Sequence, residues 1–271
     1  MLRRRLARTR LILIPMAAVV VTWPVLVAAA PAGAQPAVRY VALGDSYSAG
    51  LGAGDYSGGS CDRSANAYSA LWAAAHAPAS YVFQACAGAT TSSVISSQLS
   101  ALSSATTLVS ITVGGNDVGF SSVMETCVLL PTSFCVSAVD QAESEISADL
   151  PGELDGVLAA ISADAPNARV VVLDYPDLYD LSKSGSCLGL STADRTALNQ
   201  GAGDLDTALA AAAKANDDVF VDVRNQFAGH EICDSGSWLH SVDIFDISSS
   251  YHPTADGQEL GYLPAFAAAA G

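Results

Sequence analysis

The sequence predicts an α/β fold in which helices cover both faces of a parallel sheet. Two observations carry this. From residue 39 onward, short β-branched runs alternate with longer stretches of helical character. The short runs are also mostly apolar and read as strands buried on both faces. Sheets of this kind bind ligands outside the carboxyl ends of their strands, so the turns that follow the runs are where chemistry is expected.

The elements follow in order. "RYVAL" (39–43) reads as the first strand, and Ser64 to Ala77 as a helix. "YVF" (81–83) is the second strand and Thr91 to Leu102 the next helix. "LVSITV" (108–113) is the third strand, and Ser137 to Asp164 is helical with a break near Pro151, whose ring cannot sit inside a helix. "RVVVLDY" (169–175) is the fourth strand. Ser191 to Ala215 is a helix capped by Ser191 or Thr192, "DVFVDV" (218–223) is the fifth strand, and Thr254 to Ala269 closes the chain as a helix. No internal repeat, charge block or proline-rich linker interrupts the series, which fits one domain.

A targeting pattern precedes it. Residues 1–10 hold five arginines and no acid, an apolar run extends from Leu11 to Ala30, and Ala32-Gly33-Ala34 offers an A-x-A cleavage site. Cleavage there makes residues 1–34 a secretory signal and 35–271 the mature domain. A retained signal-anchor is the rival, since the run is long enough to span a bilayer. Pro15, Pro24 and the clean cleavage site favour removal. No later segment is long and apolar enough to cross a membrane.

The formal charge of the 271-residue chain is −15. Without residues 1–34, seven basic residues face 27 acidic ones, a charge of −20. Such a protein gains nothing electrostatically from nucleic acid or from an anionic membrane, and the charge reads as solubility outside the cell. All six cysteines (Cys61, Cys86, Cys127, Cys135, Cys187 and Cys233) lie in the mature part. An even number behind a signal peptide reads as three disulfides. Sequence does not choose among the connectivities; sequential pairing is the simplest, each bridge closing one local loop. The absence of C-x-x-C spacing argues against zinc.

Four turns hold candidate chemistry. "GDSYSAG" follows the first strand and exposes Ser46 at the edge of the sheet, its N–H at a helix start. By itself this stretch is a weak signal and reads as a helix cap formed by Asp45 or Ser46. It is not the G-x-S-x-G elbow, because Ser48 does not supply the second glycine. After the second strand, "QACAGATT" places Gly88 where a backbone N–H can approach a ligand; an ordinary strand-to-helix turn capped by Thr90 or Thr91 explains it as well. After the third, "VGGNDVGF" offers the Asn116 amide, a donor suited to an oxyanion or to holding its own turn. Last stands "YHP" with His252. His76 lies within an alanine-rich helix, and His230 and His240 flank Cys233 as surface residues, so His252 alone has a catalytic context.

Taken together, Ser46, Gly88, Asn116 and His252 at successive chain turns resemble the SGNH subgroup of GDSL-type esterases and lipases. The six cysteines and the secretion signal are similar to its secreted actinobacterial branch, whose members carry three disulfides. The resemblance spans essentially the whole mature chain. It implies a flavodoxin-like three-layer α/β/α sandwich with about five parallel strands. It implies that Ser46 is the nucleophile, His252 its general base, and the N–H groups of Ser46 and Gly88 with the Asn116 amide the oxyanion hole. Tyr47 stands where the family name has leucine, a departure expected to be without consequence. Where many members have an aspartate three residues before the histidine, this chain has Ser249, and Asp246 is the nearest acid upstream. The expectation is a dyad, with the Ser249 backbone carbonyl accepting the His252 Nδ1–H.

The chain is thus expected to be a secreted, monomeric, cofactor-free and metal-free carboxylic-ester hydrolase acting on small esters or acyl lipids. Phospholipids, acetylated sugars and polyesters are alternatives on the same site. "VMETCVLLPTSFCV" (123–136), read as a cysteine-closed loop, supplies either an apolar crevice through Val128, Leu129, Leu130 and Phe134 or a plug for the core below. A non-catalytic binding protein on this scaffold would be expected to have lost one of the four residues. A nucleotide binder is disfavoured, because Gly50, Gly52 and Gly54 fit no G-x-G-x-x-G register.

Overall fold

Five strands form the sheet: β1 (Arg39–Ala42), β2 (Ser80–Phe83), β3 (Leu108–Ile111), β4 (Arg169–Leu173) and β5 (Val219–Val221). The computed structural model describes residues 37–183 and 187–271, so the expected signal segment lies outside the described residues. The strand order is β2-β1-β3-β4-β5, and every pair is parallel. β3 and the apolar part of β4 are wholly buried, while β2 and β5 at the edges are half-buried, which accounts for the continuous apolar runs in the middle of the sheet. The chain leaves β1 for β2 and then crosses back to β3. The β1 and β3 ends therefore flank the point where the winding reverses, the usual ligand crevice of such sheets.

Helices cover both faces. On one side α2 (Tyr68–His76) and the C-terminal α9 (Leu263–Ala270) pack on the sheet, with Tyr40 of β1 held between Trp72 and Phe266 at ring separations of 5.4 Å each. On the other lie α6 (Leu150–Asp164) and α7 (Thr192–Ala215), with α5 (Thr132–Ala148) against both. Ser191 caps α7 in a capping box with Asp194. Short helices α1 (Ser46–Ala49), α3 (Thr91–Ser93), α4 (Phe120–Leu129) and α8 (Arg224–Phe227) follow strand ends or fill connections.

Several boundaries differ from the sequence reading. α2 starts at Tyr68 rather than Ser64, because the Ser64 hydroxyl bonds the Gly54 carbonyl and accepts the Asn66 N–H, holding residues 64–67 in a turn. The expected helix over 91–102 is one short α turn, then a π turn (Val94–Gln98) and a 3₁₀ turn (Leu99–Ala101). The helix expected to break near Pro151 breaks at Asp149, two residues earlier, and its first half starts five residues sooner, at Thr132. Residues 123–136 are not a loop. They are the end of α4, a corner at Leu130-Pro131 and the first turn of α5, bridged by Cys127–Cys135. The disulfides pair sequentially, Cys61–Cys86, Cys127–Cys135 and Cys187–Cys233. Among the described residues no helix is long and apolar enough to cross a membrane.

Candidate active site

The turn after β1 is held from several sides. Gly44 adopts φ +120°, and a Cβ there would lie 2.4 Å from the Thr112 carbonyl oxygen, so the strand can turn this close to β3 only on glycine. The Gln98 side chain grips the same residue twice, accepting the Gly44 N–H at 2.8 Å and donating to its carbonyl at 2.9 Å. The π turn supplies this contact by turning Gln98, fully buried, back toward the sheet. Asp45 then donates its N–H to Thr112 and caps α1 by accepting the Tyr47 N–H at 2.9 Å. Ser46 is the first residue of α1, 7 % exposed at the edge of the sheet.

The Ser46 hydroxyl lies 2.8 Å from Nε2 of His252, across 206 residues of chain. Nδ1 of His252 lies 3.0 Å from the Ser250 carbonyl oxygen. A proton on Nδ1 donated to that carbonyl leaves Nε2 free to accept from the serine, which is the tautomer a general base needs. The carbonyl is therefore not that of Ser249. Ser249 closes a 3₁₀ turn (Ile247–Ser249), and its carbonyl accepts the backbone N–H of His252 at 3.1 Å. Tyr251 then takes a left-handed φ of +65°, turning the chain so that the Ser250 oxygen meets the ring. Asp246 does not reach the ring either: its carboxylate accepts the hydroxyls of Ser248 and Ser249 at 2.7 and 2.6 Å. Burial pushes the His252 imidazole down to about 4, with the Ser250 hydrogen bond opposing, so the ring is neutral near neutral pH.

The other two turns converge on Ser46. Gly88, exposed and at φ +78°, sits between Ala87 and Ala89, whose N–H groups are taken by the Cys61 and Cys86 carbonyls. The N–H groups of Gly88 and of Ser46 have no acceptor among the described residues. Asn116 spends one amide hydrogen on the Ala89 carbonyl at 3.0 Å, which ties the post-β3 turn to the post-β2 turn and leaves its second hydrogen unspent. Asp117 reinforces the tie by accepting the N–H and hydroxyl of Thr91. Tyr175, just past β4, donates its hydroxyl to Asp45 at 2.6 Å and accepts the Gly115 N–H at 3.1 Å. Burial raises the Asp45 carboxyl to about 7 against these bonds. Gln98, Asp117 and Tyr175 were not singled out from sequence. Asp117 had a signal, lying next to Asn116 in the same motif; the other two act across 54 and 130 residues with no local pattern.

The remaining histidines divide. His76 ends α2 stacked on Trp72, as a structural residue would. His230 stacks on Trp238 at 3.7 Å. His240 departs from the surface role expected of it: Nε2 bonds the Gly52 carbonyl, and its backbone pairs with Tyr251 and His252.

Two apolar recesses meet at the Ser46–His252 pair. A cavity of about 60 Å³ opens beside Ser46 and Asn116 and runs between Val139 and Ala142 of α5 and Leu198 and Leu205 of α7. A wider groove of about 440 Å³ lies on the His252 side, between α4 and residues 242–252. Val128 and Leu129 line that groove and are exposed, as are Leu130 and Phe134, so they do not plug the core; Cys127 and Cys135 do.

Residues 42–260 match the model of the GDSL-like Lipase/Acylhydrolase family. The chain belongs to that family. It is 53 % identical over 247 residues to Lipase 1 of Streptomyces coelicolor, covering 90 % of this chain and 91 % of that one. It is 50 % identical over 231 residues to a lipase of Streptomyces rimosus, covering 84 % and 85 %. Among solved structures it matches phospholipase A1 from Streptomyces albidoflavus, with a TM-score of 0.84 at 49 % identity, covering 86 % of this chain and all of that one. The GDSL-like fold and the ester-hydrolase class are therefore common ground.

Proposed function

We propose that this family member is a secreted serine esterase or lipase that cleaves fatty-acyl esters through an acyl-enzyme, with Ser46 as nucleophile and His252 as base. The observation that carries the reading is the 2.8 Å contact between Ser46 Oγ and His252 Nε2, held by the Ser250 carbonyl rather than a carboxylate. Nε2 takes the hydroxyl proton as Oγ attacks the ester carbonyl carbon. The carbonyl oxygen becomes an oxyanion, met by the unengaged N–H groups of Ser46 and Gly88 and the spare amide hydrogen of Asn116. His252 returns the proton to the departing alcohol, and a water activated by the same nitrogen releases the acid. The acyl chain occupies the narrow cavity beside Ser46 and Asn116. The alcohol portion lies in the wider groove, because the proton donor lies on that side. No cofactor and no metal enters these steps.

Secretion is supported by the three disulfides, by the charge and cleavage pattern of residues 1–34, and by similarity to the extracellular lipase of Streptomyces rimosus at 49 % identity. The mature enzyme is residues 35–271, acting as a monomer. Cleavage of a phospholipid's acyl ester is a second reading, favoured by the likeness to the Streptomyces albidoflavus phospholipase A1. Against it, Glu125 is the one charged residue lining the groove among the described residues, so a phosphate finds no cation among them. The test is hydrolysis of p-nitrophenyl esters of short to long acyl chains, with triacylglycerol and phosphatidylcholine alongside, by oxidised 35–271 and its Ser46→Ala variant. Loss of activity in Ser46→Ala with preference for longer chains is the expected result. A fully active Ser46→Ala variant overturns the reading.

A further inference from the structure

The residue after the nucleophile does more than fill space. Tyr47 stands where the family name has leucine, and it is 2 % exposed. Its hydroxyl donates to the Tyr251 carbonyl oxygen at 2.6 Å, linking chain positions 204 residues apart. That carbonyl belongs to the residue that turns the loop into the histidine. Tyr251 is one of a handful of non-glycine residues here with positive φ, a conformation that costs about 1 kcal/mol or more and persists only where the surroundings fix it. Those surroundings are specific. The Tyr251 N–H donates to the His240 carbonyl, the His252 carbonyl accepts the His240 N–H, and the Tyr251 hydroxyl meets that of Tyr179 at 3.2 Å. Tyr47 supplies the contact that comes from the nucleophile's own helix. Its ring packs against the His252 imidazole at 5.2 Å between centroids and edge-on to Tyr175 at 4.9 Å. Its backbone is held at both ends, the N–H by Asp45 and the carbonyl by Gln258 at 3.0 Å.

We infer that Tyr47 is a positioning residue for the dyad, a strut of fixed length that sets the His252 loop relative to Ser46. The inference rests on the dyad reading above. Its logic is the missing carboxylate. An aspartate three residues upstream would fix the ring through its own side chain. Here Nδ1 is held by the Ser250 main chain, so the ring is only as well placed as residues 250–252, and the Tyr47 hydroxyl pins the middle one. Leucine at this position has neither the ring nor a donor, so it leaves the Tyr251 carbonyl without this partner. The strut is thus what allows a main-chain carbonyl to serve where a carboxylate otherwise would.

Tyr47→Phe keeps the ring and removes the donor; Tyr47→Leu removes both. Tyr40→Phe serves as control, since it deletes an equally buried hydroxyl whose bond at 2.6 Å goes to Ser110 and not to the His252 loop. All three are compared with unaltered 35–271 on p-nitrophenyl butyrate, below each variant's melting transition. The expected result is a kcat loss of roughly 10- to 100-fold for Tyr47→Phe with KM nearly unchanged, as when a buried acceptor loses its partner at a reacting group. Tyr47→Leu falls at least as far, and Tyr40→Phe loses thermal stability without losing kcat. The acid limb of the kcat profile should also move up in Tyr47→Phe, because a looser loop admits water to an imidazole whose low value comes from burial. The other titratable groups acting on that ring, His240 and Asp246, are unchanged in the variant. A folded Tyr47→Phe enzyme with kcat within twofold of the unaltered protein and an unmoved acid limb overturns the inference. An active Ser46→Ala would instead overturn the dyad, so the two failures are distinguishable.

Discussion

The two halves of the proposed dyad are supported in different ways. Ser46 stands at the end of a buried strand, on a turn that Gln98, Thr112 and the Asp45 cap hold by at least four hydrogen bonds. His252 stands in an irregular segment whose outer part, Ile244, Phe245 and Ile247, is 78, 95 and 69 % exposed. The place of Ser46 follows from the sheet. The place of His252 follows from main-chain carbonyls and from tyrosine hydroxyls reaching in from elsewhere. A secondary-structure edge fixes an atom with few residues; a loop needs contacts distant in sequence to reach the same precision.

The largest effect tests whether these unlike halves act as one unit. His252→Ala and Ser46→Ala should each lower kcat on the order of 10⁴-fold or more, and the double variant should lose no more than the worse single one. Multiplying losses would mean that each half retains function without the other. The next effect acts on the nucleophile side alone. Gly44→Ala places a methyl 2.4 Å from the Thr112 oxygen at a φ of +120°, so the turn must move. Thermal denaturation should show destabilisation of roughly 2 kcal/mol or more, with activity lost in the surviving fold. An alanine variant with unaltered melting and kcat would show that the sheet does not dictate the serine's place.

The same contrast separates what could be read from the sequence from what could not. The five strands were legible because runs such as "RVVVL" are apolar on both faces. The turns that hold Ser46, Gly88 and Asn116 were legible because ligand crevices in this topology gather where strands end, whereas His252 was picked out only by its "YHP" context and the family resemblance. α4 was hidden by the cysteines and the Leu130-Pro131 corner around it, which have the local character of a loop. Gln98 and Tyr175 were hidden for another reason: each acts through one contact made across the fold. Which carbonyl holds His252 depended on the sign of φ at Tyr251, and a tyrosine gives no hint of a left-handed turn. Local pattern thus reached the strand-borne half of the site and stopped short of the loop-borne half.

The smallest expected effect bears on that second half. The Asp246 carboxylate spends its oxygens on the Ser248 and Ser249 hydroxyls, and its influence on His252 is a weak through-space one that favours the protonated ring. Asp246→Asn keeps an acceptor and removes the charge, so kcat should change by less than about fivefold. The pH profile fixes the sign. A base must be unprotonated, so kcat/KM should hold above the His252 value of about 4 and fall as pH drops through it, well below the ordinary imidazole range. Losing a nearby negative charge removes a contribution that raises this value, so the acid limb of Asp246→Asn should stay or move down, never up. Were the carboxylate instead the partner of Nδ1, the asparagine would stabilise the wrong tautomer and kcat would fall by orders of magnitude. A drop of that size would transfer the holding of His252 from the Ser250 carbonyl to Asp246, and the loop would then carry a triad.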